Sequence, residues 1–584
     1  MKQLGRHIVL VLITAVFAAF LFWPLYRIVR VGFFGDAAPG APARFTFDYL
    51  LAVFQNPQLR AGLINSARIA LGVTILTTLI SLPLAWLNVR YDFPGKKLLS
   101  ALLLVPLILP PFVGAIGMRQ ILGRFGVLTS LAQSAHLIPQ DTPVDWFGGA
   151  RFFGIILIES LSLYPILLLN ISAALANIDP AMEQAAANLG AGRWRVFRKV
   201  TFPLMRPGIL AGATIVMIWS FTELGTPLMF DFYQVTPVQI FFRLTQVNAS
   251  PIPFALVVIM LLGSIALYAI GKLLLGRSHG AATTKASVQS TAIRLRGVRG
   301  LLALLPFAIV VALALLPHFG VILLSVAKVG SWYQSALPRV FTMQHYAAAL
   351  THDVTLPSVR NSIGLASAST FLDLVIGLAI AWLIVRSNLP RVAKLAIDAI
   401  SMLPLAVPGL VLAFGYLAIS VQLQAMIGAD ANRKWLRDLV DVQQNPVALL
   451  IIAYMIRRLP YVVRSAVAGL EQTPVDLELA ARNLGASSMR TLRRITVPLI
   501  SANLIAGALL AFAFAMLEVS DSLILAQQQR FWPITKAIYD LSGRLADGPY
   551  IAAALGVWAM ILLTLTILSA NRLLGRRMGT IFRV

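Results

Sequence analysis

The sequence has no cysteine in its 584 residues, so disulfides and thiolate metal sites are excluded. Charge is scarce too. Asp, Glu, Lys and Arg make up 12% of the chain, about half of the roughly 25% that a soluble domain carries. Acidic residues are the rarer sign, 23 against 48 Lys and Arg, giving a net charge of +25. The six histidines form no cluster with metal-ligand spacing, and no H-E-x-x-H occurs. No G-x-x-x-x-G-K-[ST] occurs either, so nothing in the chain can cradle the phosphates of a nucleotide. An intramembrane metalloenzyme and an ATPase carried on this chain are both set aside.

What fills the space is apolar. Hydrophobic residues make up 58% of the chain, and the mean hydropathy is +0.82. This is the composition of an all-α polytopic membrane protein. A span needs about 20 mainly apolar residues. Twelve segments qualify: 8–31, 61–87, 98–122, 151–175, 208–230 and 253–275, then 301–326, 361–385, 395–420, 447–470, 501–525 and 551–573. The basic start and long apolar run at the N-terminus read as a retained first span, not a cleaved leader. With the N-terminus inside, the seven inner segments (1–7, 88–97, 176–207, 276–300, 386–394, 471–500 and 574–584) hold 25 Lys and Arg. That is an enrichment of about twofold per residue over the outer segments, the bias expected of cytoplasmic loops. The positive charge is thereby explained by topology and membrane lipid, and nucleic acid is set aside as a partner. Both termini are expected in the cytoplasm.

The twelve segments fall into two sets of six that repeat. Residues 183–204 read EQAAANLGAGRWRVFRKVTFPL and residues 478–499 read ELAARNLGASSMRTLRRITVPL, identical at 12 of 22 positions with an offset of 295. Asn65-Ser66 matches Asn361-Ser362, Trp86 matches Trp382, Pro165 matches Pro460 and Glu223 matches Glu518. Pro106 and Pro110 match Pro404 and Pro408. An even number of spans per half makes the repeat parallel, not inverted. The expected organisation is a first half over 1–275, a polar and basic tether over 276–300, and a second half over 301–584.

Within each repeated stretch the residues predict a short Ala-rich helix and a glycine able to end it in the left-handed conformation. A second, basic helix should follow, with Pro203 and Pro207, or Pro498, breaking the chain before the fifth span. An interfacial helix held by anionic lipid would need the arginines. It would not need Ala-Ala-x-Asn-Leu-Gly-Ala in both copies. Small residues of that kind permit close packing against another protein.

The stretch resembles the cytoplasmic Glu-Ala-Ala loop of ABC importer permeases. That motif runs Glu-Ala-Ala, three residues, Gly, nine residues, an aliphatic, two residues, Pro. Gly190 is followed at that spacing by Val200 and Pro203, and Gly485 by Ile495 and Pro498. Ala185, Ala186, Ala480 and Ala481 fit. The motif's Glu falls on Gln184 and Leu479, with Glu183 and Glu478 one position earlier.

The resemblance implies a type I ABC importer fold with two coupling loops, about 176–207 and 471–500. Glu183, Ala185, Ala186, Gly190, Pro203, Glu478, Ala480, Ala481, Gly485 and Pro498 would serve the coupling. It further implies two copies of a cytoplasmic ABC ATPase, which bind ATP and Mg, and a periplasmic or lipid-anchored substrate-binding protein. No cofactor is expected in this chain. The location implied is the bacterial inner membrane. Twelve spans in two parallel sixes also describe an ion-driven secondary transporter, but nothing in that class calls for two matched coupling loops.

Charges inside spans are costly and mark function or pairing. They are Arg68, Glu159, Glu223, Asp373, Arg457, Arg458, Arg464 and Glu518. Glu223 and Glu518 occupy equivalent positions and so flank a pseudo-twofold axis. Two readings stand. In one, Glu159, Glu223 and Glu518 form an acidic pathway for a hard cation, since oxygen ligands suit such ions. In the other, the glutamates neutralise Arg68, Arg457 or Arg458. Substrate contact at Arg457 would favour an anion. Arg464, near the inner surface, is expected to snorkel. No metal-ligand set is certain. The stretches ELGTP, LEVSDSLILAQ and FWPITKAIYDLSGR resemble the fused permeases of ferric-iron importers. Permeases for organophosphonates, polyamines and thiamine are the alternatives that the resemblance leaves.

Overall fold

The computed structural model describes residues 3–35, 44–107, 110–147, 151–247, 250–275, 292–428 and 434–574. The major helices of the first half are α1 (His7–Phe34), α2 (Pro57–Arg90), α3 (Pro111–Leu122), α4 (Phe152–Ala176), α5 (Pro180–Asn188), α6 (Phe202–Phe221) and α7 (Ile252–Leu275). The second half has α8 (Gly297–Val326), α9 (Thr355–Val385), α10 (Arg391–Ala406), α11 (Gly409–Ile427), α12 (Val447–Gln472), α13 (Asp476–Asn483), α14 (Ser501–Met516) and α15 (Gly548–Leu574).

Among the described residues, nine helices are long and apolar enough to cross a membrane, or eleven if two bent pairs count as spans. The expected twelfth is α12, a helix of 26 residues that carries Arg457, Arg458 and Arg464. Its charges keep it below the apolar threshold, and ion pairing compensates for them.

Each half is built on a trio of mutually packed helices: α2, α4 and α6 in the first, α9, α12 and α14 in the second. Pro165 and Pro460 lie inside α4 and α12. A membrane tolerates interior proline where neighbours satisfy the freed backbone. The third span of each half is broken, not continuous as 98–122 and 395–420 suggest. In the first half the helix Lys96–Leu102 stops before the proline run and α3 restarts at Pro111. The Tyr164 hydroxyl donates to the Leu103 carbonyl at that break, at 2.7 Å. In the second half the break is at Val407 and Pro408, between α10 and α11.

The first helix of each half crosses onto the other half. At the crossing of α8 on α3, a Cβ on Gly117 would stand 2.5 Å from the Pro317 carbonyl oxygen and 2.6 Å from the Val321 nitrogen. At the crossing of α1 on α11, a Cβ on Gly415 would stand 2.7 Å from Pro24 Cβ. Tyr416 also donates to the Phe20 carbonyl at 2.6 Å. Gly117 and Gly415 occupy equivalent positions in the repeat, so the two seams are one contact made twice.

Of the expected tether over 276–300, only residues 292–300 are described. Residues 276–291 lie outside the described residues. After them, β2 (Ile293–Arg294) pairs in parallel with β1 (Tyr91–Asp92), in the loop that follows α2. The Leu295 amide donates to the Asp92 carbonyl at 2.8 Å, and Phe93 meets Phe307 edge-on at 5.1 Å.

Candidate coupling surface and translocation site

The repeated stretches fold as near copies. Asp179 caps α5, accepting from the Ala181 amide at 2.9 Å. α5 ends with the Gly190 amide bonded to the Ala187 carbonyl at 2.9 Å and the Ala191 amide to the Ala186 carbonyl at 3.1 Å. α13 ends the same way, Gly485 to Arg482 at 2.9 Å and Ala486 to Ala481 at 3.0 Å. These are Schellman endings, which need a left-handed residue. Gly190 has φ +80° and Gly485 φ +84°. Beyond each glycine comes one helical turn, then a π turn at Phe197–Thr201 or Leu492–Thr496.

The prolines do not break the first copy. Arg193–Phe221 is one continuous helix that includes Pro203 and Pro207. A π turn, Phe197–Thr201, immediately precedes Phe202 and Pro203 in that helix. In the second copy the chain does bend, by 74° between Leu499 and Ser501.

The outward surface of each copy is apolar and open. Leu189 is 89% exposed and Leu484 90%. Trp194 and Met489 are exposed beside them, and nothing lies within 4 Å of a Cβ built on either glycine. Gln184, Ala185, Leu479 and Ala480 also face outward, whereas Ala481 is buried.

The two glutamates point the other way. Glu183 pairs with Arg90 and accepts from the Thr201 hydroxyl at 2.6 Å. The Arg90 guanidinium in turn lies 5.3 Å from the Trp86 ring centroid. Glu478 accepts from Arg386 Nε at 3.1 Å, and Arg386 Nη2 donates to the carbonyls of Leu470 at 3.0 Å and Thr473 at 2.7 Å. Glu183 and Glu478 therefore brace α5 and α13 against the transmembrane helices. The motif's departure at Gln184 and Leu479 leaves those two outward positions without a carboxylate.

The charges inside the spans sort differently in the two halves. Glu518 pairs with both Arg457 and Arg458, and Arg457 also approaches Asp521 at 3.4 Å. The neutralising reading thus holds for Glu518. It does not hold for Glu159, which is 1% exposed and meets the Ser220 hydroxyl instead of an arginine. Nor does it hold for Glu223, whose Oε1 accepts from the amides of Gly225 at 3.1 Å and Thr226 at 3.2 Å. Arg68 is exposed on α2. Arg464 does not simply snorkel, since it pairs with Asp398 at 3.3 Å. Asp373 is fully buried, with both carboxylate oxygens lacking a hydrogen bond among the described residues.

Glu223 and Glu518 stand at matching corners. The expected spans 208–230 and 501–525 both end early, at Phe221 and Met516. Short helices Gly225–Met229 and Ser520–Leu525 follow. The corners touch: a Cβ on Gly225 would lie 3.2 Å from Val519 Cγ1 and 2.9 Å from Phe112 Cβ. The seam between the halves is closed here.

Two six-span halves, reciprocal first helices and paired surface helices describe a permease dimer in one chain. Sequence comparison agrees. The profile of the family described as binding-protein-dependent transport system inner membrane component matches twice, over residues 77–280 and 373–580. The chain belongs to this family. It is an ABC importer permease, a multi-pass inner-membrane transport subunit, and the ion-driven secondary transporter is ruled out. The ferric transport system permease protein FbpB of Actinobacillus pleuropneumoniae is 27% identical over 595 residues, covering 98% of this chain and 79% of that protein. The putative ferric transport system permease protein FbpB 1 of Haemophilus influenzae is 26% identical over 523 residues, covering 87% and 76%. The molybdenum transport system permease protein ModB of Escherichia coli is 36% identical over 185 residues, covering 30% of this permease and 74% of that protein.

Proposed function

We propose that this permease imports ferric iron. Two copies of a separate cytoplasmic ABC ATPase would drive it, with ATP and Mg bound there, and a periplasmic or lipid-anchored binding protein would deliver the ion. The observation that carries this reading is similarity along nearly the whole chain to ferric transport permeases. The chemistry of the seam supports it, because Glu159 and Glu223 make no contact with a basic side chain among the described residues.

An oxyanion cargo is the second reading. It has in its favour the local similarity to ModB and the presence of Arg457 and Arg458. Both arginines are already committed to Glu518 and Asp521, which weakens their claim on an anion.

In this mechanism the face carrying α5 and α13 is cytoplasmic, as are both termini. The apolar surface around Leu189 and Gly190, and around Leu484 and Gly485, docks one ATPase each. Ala185, Ala186, Ala480, Pro203 and Pro498 shape the docking helices and their exits. Closure of the ATPases draws the two helices together. The braces Arg90–Glu183 and Arg386–Glu478 pass that movement to the two trios, and the corners at Gly225 and Val519 separate. Switching a transporter between two states takes a differential energy of a few kcal/mol, which ATP binding and hydrolysis would supply.

The test is reconstitution of the permease with its ATPase and its binding protein in proteoliposomes. Iron-loaded binding protein should raise ATP hydrolysis and move labelled iron inward. Stimulation by a molybdate- or phosphonate-loaded protein, with none by the iron-loaded one, would overturn the choice of cargo.

A further inference from the structure

We infer that Glu159, Ser220, Glu223 and Thr226 form a transient cation site on the first half's side of the pathway. The second half's equivalent positions are closed by their own arginines. The inference rests on the reading above that the cargo is a cation.

Glu159 is buried in α4 at 1% exposure. The Ser220 hydroxyl donates to its Oε2, while its Oε1 has no hydrogen-bond partner among the described residues. Leaving a buried carboxylate oxygen unpaired is costly, so such an atom points to a ligand.

Glu223 is tied to the same turn, its amide donating to the carbonyl of Ser220 at 3.3 Å, and Ser220 is the residue whose hydroxyl meets Glu159. Glu223 Oε1 is held by the Gly225 and Thr226 amides and by the Thr226 hydroxyl at 3.4 Å. Those bonds fix the carboxylate and leave Oε2 free of hydrogen bonds among the described residues. Two carboxylate oxygens and two neighbouring hydroxyls offer a hard-oxygen set. Among the described residues no group of three or more His, Cys, Asp or Glu could hold a metal. A weak site suits a pathway, because a cargo that binds too tightly does not leave.

The repeat supplies an internal comparison. Glu159 corresponds to Tyr454, Ser220 to Ala515, Glu223 to Glu518 and Thr226 to Asp521. The uncharged Ser162 and Leu163 correspond to Arg457 and Arg458. In the second half the Tyr454 hydroxyl meets Ser522 Oγ at 2.6 Å, and the arginines occupy Glu518. One wall of the seam is thus self-neutralised and the other carries two uncompensated carboxylates. Glu223 is the less buried of that pair and sits at the corner that meets Val519. A cation entering between the parted corners reaches Glu223 first and Glu159 next.

The test uses the full complex with iron-loaded binding protein. E159Q and E223Q should each lower iron uptake about tenfold or more, with the ATPase still co-purifying in the wild-type ratio. E223D should recover part of the loss. A wild-type uptake rate in the E159Q/E223Q variant overturns the site. So does loss of ATPase co-purification in both single variants, which would make the pair a folding element.

A wild-type complex that moves no iron defeats the cargo reading without touching the site, and a direct probe then decides. Tb3+ luminescence on the purified complex should fall in E159Q/E223Q. Unchanged luminescence would exclude the site.

Discussion

Arg386 and Glu478, 92 residues apart in the chain, meet at 3.1 Å in a contact almost closed to solvent. The same guanidinium reaches two carbonyls at the C-terminal end of α12, where the helix dipole favours a cation. One side chain therefore ties α9, α12 and α13 together. Arg90 and Glu183 make the matching tie in the first half, with Thr201 as third member. Breaking a buried pair from one side costs on the order of 3 to 5 kcal/mol, because a charge is left uncompensated. R386A should therefore lower the thermal unfolding midpoint of the purified complex and cut stimulated ATP hydrolysis severalfold. R90A should do less, since its pair is about twice as exposed. The double variant R386M/E478L should recover most of the lost midpoint, as apolar replacements of a buried pair often do. Equal effects of R90A and R386A would show that burial does not rank the two braces.

Gly190 and Gly485 stand in open space with φ near +80°. A substitution there meets no neighbour, so its effect comes from the backbone alone. A β-branched residue in the left-handed region costs about 1 to 2 kcal/mol or more, whereas asparagine tolerates it. G190V and G485V should lose the Schellman ending and uncouple transport from ATP hydrolysis, with membrane insertion intact. G190N and G485N should keep at least half of wild-type transport. Full transport by the G190V/G485V variant would remove these turns from the coupling path.

Much of this architecture is legible in the sequence because duplication gives each landmark a second witness. The offset of 295 or so identifies both surface helices, and their glycines carry the turn chemistry. Other features leave weaker traces. Gly117 and Gly415 sit in apolar runs, where a glycine kept for helix crossing looks like any other small residue. Glu183 and Glu478 stand in the coupling set with no direction assigned, because a motif shows which residues are present but not which way a helix faces. Asn65-Ser66 and Asn361-Ser362 were visible as a repeat without a role. Their role is to hold the segments beyond the two corners: Ser66 Oγ accepts from the Thr236 amide at 3.0 Å and Ser362 Oγ from the Ile534 amide at 2.7 Å. The breaks after Phe221 and Met516 escape notice because the residues beyond them stay apolar.

The helix crossings give a graded prediction. At Gly117 an added Cβ meets backbone atoms of α8, which cannot swing aside. At Gly415 the nearest atoms belong to the Pro24 ring and to Ile28 Cδ1 at 3.1 Å, so some relief is available. Overpacking of this kind costs about 1 to 3 kcal/mol. G117A should lower the unfolding midpoint in detergent more than G415A, and G117L should prevent accumulation of the folded chain. A larger loss from G415A would mean that the two seams are not packed as described.

The pairing of β1 with β2 predicts how the two halves tolerate separation. β2, Leu295 and the start of α8 dock on the loop that follows Arg90, and Arg90 braces α5. The end of the inter-half segment therefore reaches the support of α5 through the β1–β2 ladder, the Leu295 to Asp92 backbone bond beside it and the ring contact of Phe93 with Phe307. Co-expressed fragments 1–285 and 286–584 should assemble and transport within about twofold of the intact chain. I293P should lower stimulated ATP hydrolysis in either format, because proline removes a strand donor and restricts the residue before it. The F93A variant should share that defect, since truncating a buried aromatic of this size costs about 3 to 5 kcal/mol. Inactive fragments alongside a fully active I293P would reverse the assignment and place the need in the covalent link itself.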